Sequence, residues 1–343
     1  MTVSIIVPVY NTEAFLAKAL DSAINQTYKD IEILCINDGS TDNSLQILND
    51  YAQKDERIKV FSQENAGVGA VKGLGIKNAS GKYIMFLDSD DFYEPDMCEC
   101  MVRAIEEHDV DFVMCDCNVT GPASGSRNVK YCRLNMFGRI KIEPEIIPEI
   151  SVILPVKIFK KELCDKYAIR FPNLARHEDF AFAYQYFSVA KTAFGLNKKL
   201  YNYVMRDNSL IGTMRADHKL DGWLSLKFAA EFLRVNELMA KHINAFSGYL
   251  LQRTKYQWGL LDKDEQNAAL DLILKIFNED ELKLITNKSP FFEAMRREDK
   301  KAMAVLLNDK LKYTFAQRLF SIKKNAYHTV VSVLGIKIKI KYL

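Results

Sequence analysis

The sequence predicts an α/β fold: a mostly parallel sheet flanked by helices, followed by a mainly α-helical C-terminal region and a basic tail. Three observations carry that expectation. Before Asp91, four short apolar runs alternate with segments whose apolar residues recur at helical spacing, the pattern of a parallel sheet with right-handed crossovers. The fourth run, Tyr83 to Leu87, is apolar at consecutive positions and stops at Asp88, Asp90 and Asp91. It reads as a strand buried on both faces whose carboxyl end meets a ligand. Beyond Asp217 the pattern turns helical, and from Lys310 to Leu343 there are eight Lys or Arg and no acidic residue.

In order, Val3 to Val7 is a β-branched run ended by Pro8, and Phe15, Leu16, Ala19, Leu20 and Ala23 follow at helical spacing. Ile31 to Ile36 is a second buried strand. It halts at Asn37-Asp38-Gly39-Ser40-Thr41-Asp42, a tight turn rich in N-cap residues, ahead of a helix through Leu45, Leu48 and Ala52. Ile58 to Phe61 is a short third strand, and Asn65 to Gly81 holds a glycine-punctuated helix through Ala70, Leu74 and Ile76. Glycines 67, 69, 73 and 75 follow the third strand rather than the first and miss the register of a dinucleotide-binding motif, so close helix-to-sheet packing accounts for them. After the acidic cluster come a helix ending near Glu107, a fifth strand from Asp111 to Cys117, and a Gly, Pro, Ser and Asn loop from Asn118 to about Arg133. Ile150 to Phe159 is apolar again. A helix begins near Asp179 and carries Phe180, Phe182, Ala183, Tyr186 and Phe187; Lys198 to Tyr203 reads as a strand and Arg206 to Ser209 as a polar loop. From Asp217 the chain is helical to about Leu311, with Phe228, Phe232, Val235, Leu238 and Met239 on one core-packing stripe.

With 48% hydrophobic and 27% charged residues the composition is that of an ordinary globular protein. No apolar run reaches the ~18 residues of a membrane span and no signal-peptide pattern precedes the first strand, so the chain is expected in the cytoplasm. The net charge of +3 hides an asymmetry, because the first 309 residues hold 39 of the 47 basic residues against all 44 acidic ones. No nucleic-acid partner is expected. Seven cysteines, an odd number, are expected as free thiols. Zinc at Cys98 and Cys100 or at Cys115 and Cys117 is disfavoured, since one residue separates each pair where roughly two to four are usual.

Taken alone, Asp88-Ser89-Asp90 has two readings. Crowded carboxylates repel unless a cation or proton shares the site, which suits an oxygen-coordinated divalent ion; the other reading is a solvated acidic turn that caps the next helix. Asp179, in Arg176-His177-Glu178-Asp179, likewise has a helix-capping reading.

Several stretches taken together decide between them. Val3-Ser4-Ile5-Ile6-Val7-Pro8-Val9-Tyr10-Asn11, Ile36-Asn37-Asp38-Gly39-Ser40-Thr41-Asp42, the Gly67 to Gly81 segment, Leu87-Asp88-Ser89-Asp90-Asp91 and Glu178-Asp179 resemble, in order, the motifs of family 2 glycosyltransferases. The resemblance covers about residues 1 to 210. It implies a GT-A fold and an inverting, metal-dependent hexosyl- or N-acetylhexosaminyltransferase. It implies that Pro8, Val9 and Tyr10 line the base pocket, with Tyr10 stacking on uracil. Asp38 would accept the pyrimidine N3–H, which favours a UDP-sugar because cytosine lacks that donor. Ser89 would lie against the nucleotide, Asp88 would approach the ribose or the metal, Asp90 would ligate the Mn²⁺ or Mg²⁺ that holds the diphosphate, and Asp179 would be the general base. Where the family has Ala-Arg-Asn this chain has Val71-Lys72-Gly73, so the resemblance puts Lys72 at the donor, with a point charge in place of a bidentate fork.

The resemblance further implies a glycan or lipid-linked glycan acceptor in bacterial capsule, lipooligosaccharide or O-antigen synthesis. The expected organisation is a transferase domain over 1–215, with a nucleotide-binding half at 1–117 and an acceptor half at 118–215, then a helical region over 216–311 and a basic amphipathic tail over 312–343. In that tail Ile336-Lys337-Ile338-Lys339-Ile340-Lys341 alternates with strand period, one face apolar and one basic. Either it covers the helical region as a terminal strand or it docks peripherally on an anionic membrane, where each basic residue adds up to about 1 kcal/mol. Two other functions compete. A sugar-1-phosphate nucleotidyltransferase would want a Gly-rich phosphate loop after the first strand, where Pro8-Val9-Tyr10-Asn11 has no glycine. A catalytically silent nucleotide- or carbohydrate-binding scaffold would not need Asp38, Asp88, Asp90 and Asp179 together.

Overall fold

The structure, a computed structural model, describes residues 1–120, 136–205 and 218–308, and the backbone of three strands between 320 and 341. It divides into two compact units, Met1–Ala245 and Phe246–Leu343.

The first unit is built on strands β1 (Val3–Val9), β2 (Ile31–Asp38), β3 (Ile58–Gln63), β4 (Tyr83–Phe86), β5 (Phe92–Tyr93), β6 (Phe112–Thr120), β7 (Gly138–Lys141), β8 (Lys157–Lys160) and β9 (Thr192–Val204). Among the described residues these make one nine-stranded sheet in the order β3-β2-β1-β4-β8-β6-β9-β5, with β7 on β9. β1 to β4, β6 and β9 run one way, and β5, β7 and β8 run the other. The mostly parallel α/β sheet is therefore as expected, with an antiparallel minority that periodicity did not reveal.

Both faces of the sheet are covered. Alternate β1 residues Val3, Ile5, Val7 and Val9 lie in one core with Leu16, Ala19, Leu20 and Ala23 of α1 (Glu13–Ile24) and with Met97, Met101 and Ile105 of α4 (Met97–Glu107). On the other face Ile6 meets α3 (Val68–Asn78), where Gly75 leaves room for its side chain. Close packing of helix on sheet is thus the role of that glycine. The same face carries an aromatic cluster under α6 (Glu178–Val189): Phe182 stacks on Phe171 at 4.5 Å and meets Phe86 and Phe159 edge-on at 5.8 and 5.7 Å.

Several boundaries differ from expectation for physical reasons. β9 starts six residues before Lys198 because its exposed middle, with Lys198 and Lys199, breaks the apolar alternation, and its pairing with β6 shifts register twice. Of the apolar run from Ile150 to Phe159, which follows a 3₁₀ turn at Pro144–Glu149, only the end enters β8. β5 and β7 are too short to show a period. The loop beyond Thr120 and the segment Arg206 to Ser209 lie outside the described residues.

Cysteines 35, 98, 100, 115 and 164 are buried free thiols. Burial pushes the thiols of Cys35, Cys98 and Cys115 up to about 12, which disfavours the thiolates that zinc requires. Cys117 corrects the expectation of free thiols throughout: it is disulfide-bonded, and an odd count leaves at least one thiol free without forbidding a pair. Cys132 lies outside the described residues.

α7 (Asp221–Val235) belongs to the first unit and α8 (Met239–Gln257) spans the division. The second unit continues with α9 (Lys263–Leu274) and α10 (Glu279–Leu284), each opened by a reciprocal capping box, Asp262 with Glu265 and Asn278 with Glu281. α11 (Pro290–Arg296) has proline at its first position behind the Ser289 cap, and residues 300–308 are helical. The tail is more than the single strand expected: β10 (Phe320–Lys324), β11 (His328–Val333) and β12 (Ile336–Lys341) form an antiparallel sheet. No described helix is long and apolar enough to cross a membrane.

Candidate active site

The parallel register brings the predicted residues to one edge. Val9 pairs with Asn37 and Asp38 with Gln63, while Ile6 pairs with Phe86, so Asp38 lies at the carboxyl end of its strand and Tyr10 and Asp88 just past those of its neighbours. Pro8 and Val9 are inside β1, and Tyr10 emerges 49% exposed. Here α1 and α2 (Ser44–Lys54) begin side by side and cap one another. The Glu13 N–H donates to Asp42 Oδ2 at 3.0 Å, and the Asn43 N–H donates to Glu13 Oε2 at 2.9 Å. Asn11, in the left-handed region with φ 50°, closes the join by accepting the Thr41 N–H at 2.8 Å.

Asp38 is buried and shapes the next loop. Its Oδ1 accepts from Gln63 Nε2 at 2.8 Å and the Ala66 N–H at 2.9 Å, and its Oδ2 accepts the Gly67 N–H at 2.9 Å. A carboxylate has about four lone-pair sites, so one remains for a ligand donor.

At the end of β4, Leu87 still bonds to the Ile6 carbonyl, and the chain then turns, the Asp91 N–H donating to the Asp88 carbonyl at 3.0 Å. Ser89 is buried; Asp88 and Asp90 are half-buried. Asp91, 2% exposed, points away to β9, accepting from Tyr201 Oη at 2.6 Å and the Val204 N–H at 2.7 Å. It fastens the turn and does not cap α4, whose N-cap is Asp96. Burial, then the charges of Asp90 and Asp179, push the Asp88 carboxyl up to about 7 against the pull of Lys72. A carboxylate so placed accepts a cation readily. No three described His, Cys, Asp or Glu side chains form a metal cage. Asp88 and Asp90 are the carboxylates at this strand end that could hold a divalent cation.

Asp179 comes from the far side of the sheet face. α3 packs its first turn against the chain before α6 so closely that a Cβ on Gly69 would overlap the Pro172 carbonyl. That contact sets Lys72 beneath the start of α6. Its Nζ, 3% exposed, donates to Glu178 Oε1 at 2.9 Å and to Asp179 Oδ1 at 2.5 Å. Asp179 keeps 29% exposure, whereas Glu178 is buried, and burial pushes the Glu178 carboxyl up to about 7 with Asp179 adding and Lys72 opposing. His177, the N-cap residue with φ 63°, makes no side-chain cap bond. The Arg176 N–H donates to Asp221 Oδ2 at 3.0 Å, anchoring this segment to α7.

Lys72 is thus held against two carboxylates, with a long-range attraction to Asp88. Sequence reasoning assigned no role to Glu178 or Gln63. Glu178 had a signal, since it stands beside Asp179 in a recognised pair; Gln63 had none.

Comparisons with known proteins bear on family and fold. Residues 4–167 match the model described as glycosyl transferase family 2. The chain is 31% identical over 247 residues to the putative glycosyltransferase EpsH of Bacillus subtilis, covering 70% of this chain and 71% of that protein. It is 34% identical over 218 residues to glycosyltransferase GlyA of Streptococcus pneumoniae, covering 61% of this chain but only 31% of GlyA. The crystal structure of Staphylococcus aureus TarS 1–349 in complex with UDP-GlcNAc superposes with a TM-score of 0.72 at 21% identity, covering 100% of both chains. That likeness shows the GT-A fold. With the family motifs at one sheet edge and a relative of this identity and coverage, the chain belongs to glycosyltransferase family 2.

Proposed function

We propose that the protein moves a hexosyl or N-acetylhexosaminyl group, with inversion, from a UDP-sugar to a hydroxyl of a glycan or lipid-linked glycan in bacterial surface polysaccharide synthesis, of the capsule, lipooligosaccharide or O-antigen kind. One observation carries the reading. Lys72 bonds Asp179 and attracts Asp88, so the carboxylates at the end of β4 and the start of α6 form one electrostatic cluster. That TarS, of the same fold, is crystallised with UDP-GlcNAc and with UDP agrees with the donor class.

The chemistry follows from the side chains. Tyr10 stacks on uracil, Asp38 accepts its N3–H with the remaining lone pair, and Ser89 lies against the nucleotide. Asp88 and Asp90 would hold Mn²⁺ or Mg²⁺, and a divalent ion bound there neutralises the charge that develops on the departing diphosphate. Asp179 takes the proton of the acceptor hydroxyl as that oxygen attacks from the face opposite the leaving group. A single displacement then inverts the anomeric carbon.

The test is UDP release from a panel of UDP-sugars with and without Mn²⁺, using wild type and Asp90→Ala. The reading expects Mn²⁺-dependent release from at least one sugar, and calorimetric UDP affinity that Mn²⁺ strengthens in wild type but not in the variant. UDP binding with no release from any sugar would mark a scaffold, and pyrophosphate formation from UTP and a sugar 1-phosphate would mark a nucleotidyltransferase.

A further inference from the structure

Lys72 is an ammonium almost wholly removed from water, which would ordinarily cost it its proton. Burial acts in that direction, yet Asp179, Glu178 and then Asp88 outweigh it and hold the group well above the usual lysine range. The ring of Phe171 lies 5.9 Å from Nζ. The two bonded carboxylates come from consecutive residues in the first turn of α6. Such neighbours diverge around a helix, so one cation held between them restrains both side chains. Lys72 is separated from Glu178 by 106 positions, and α3 is fitted to this segment by Gly69.

We propose that Lys72 is a positioning residue for Asp179: its ammonium fixes the carboxylate that receives the acceptor proton, and Glu178 sets how much of that positive charge Asp179 feels. The inference rests on Asp179 being the base. It assigns Lys72 to the base rather than to the donor contacts that the family resemblance implies. Asp179 is faced by Lys72 from α3, Asp88 from the end of β4 and Lys157 from β8, with Glu178, His177 and Arg176 on its own segment.

Two substitutions therefore act in opposite senses. Lys72→Met removes the cation that holds the carboxylates of Asp179 and Glu178, and the acid limb of the turnover profile is expected to move to higher pH. Glu178→Gln removes the competing charge, so the ammonium acts on Asp179 alone and the acid limb moves to lower pH. A side chain that only props up α6 would lower turnover in both variants without separating the limbs.

The experiment measures UDP release by the full chain with Mn²⁺ between about pH 5.5 and 9, from UDP-glucose, UDP-galactose and their N-acetylamino counterparts. Wild type is compared with Lys72→Met, Lys72→Arg, Glu178→Gln and Asp179→Asn, and UDP affinity is read by calorimetry. The limbs of Lys72→Met and Glu178→Gln are expected to separate by about one pH unit or more, with Lys72→Arg near wild type in limb position. Turnover of Lys72→Met at pH 7 is expected to fall about 10- to 100-fold, while its UDP affinity stays within about twofold. Coincident limbs, or a loss of UDP affinity of about tenfold or more in Lys72→Met, overturn the inference while leaving Asp179 as base. Wild-type turnover in Asp179→Asn, or no UDP release from any of the four donors, overturns the reading beneath it.

Discussion

At the scale of single residues, buried charge in this chain serves two ends of the sheet differently. At the amino end of β2, Glu32 is 0% exposed and accepts from Ser4 Oγ at 2.5 Å, Lys59 Nζ at 2.7 Å, and the Ser80 N–H and Oγ at 2.7 and 2.8 Å. Burial alone would push its carboxyl up, but Lys59 and the serines bring it down to about 2 from the usual 4.5. Its folded value is below its unfolded value, so the stability it contributes is present above about pH 4.5 and is lost as pH falls toward about 2. Glu32→Gln is expected to cost about 2 to 3 kcal/mol at pH 7, with the gap to wild type shrinking on acidification below pH 4.5. Denaturant titrations at neutral and acid pH check this, and a gap that is independent of pH would contradict it. At the carboxyl end the logic reverses: Asp88 and Glu178 are both pushed up to about 7, burial being the largest cause. Carboxylates whose burial outweighs their partners there are suited to ligands and protons rather than to holding strands. Asp88, Asp90 and Asp179 were legible in the sequence because each sits in a short local motif. The Lys72 pair was not, since contact across 106 positions has no local signature.

At the scale of elements, α3 is the part that joins sheet to site. Gly75 lets it close on Ile6 and Gly69 lets it close on the Pro172 carbonyl, whereas a Cβ at Gly73 would meet nothing within 4 Å. Gly69→Ala is expected to cost about 1 to 3 kcal/mol by overpacking and to reduce turnover by displacing Lys72 from Asp179. Gly73→Ala should instead be neutral or stabilising by up to about 1 kcal/mol, since alanine is the better helix former. Urea unfolding of the two variants separates the roles, and equal losses would sink them. The strands β1, β2 and β4 were legible because they are buried on both faces and read as continuous apolar runs. β5, β7 and β9 were read poorly, as two are short and the third carries exposed lysines in its middle. The antiparallel β8 and β5 pairings depend on tertiary closure, which no window of residues encodes.

At the scale of the whole molecule, the chain joins a GT-A sheet to helices and to a three-stranded C-terminal sheet of basic and apolar residues. The eight basic residues beyond position 309 support a proposed peripheral contact of the tail with anionic lipid. Full-length protein is expected to sediment with anionic vesicles more strongly than a chain ending at Asp309; equal binding would remove the tail from that role. The central claim is that Asp179 accepts the acceptor's proton. Its most direct test is turnover and UDP affinity of Asp179→Asn, measured with the UDP-sugar that wild type uses. The account predicts turnover lower by about two to four decades with UDP affinity nearly unchanged. Near-wild-type turnover in that variant would contradict it.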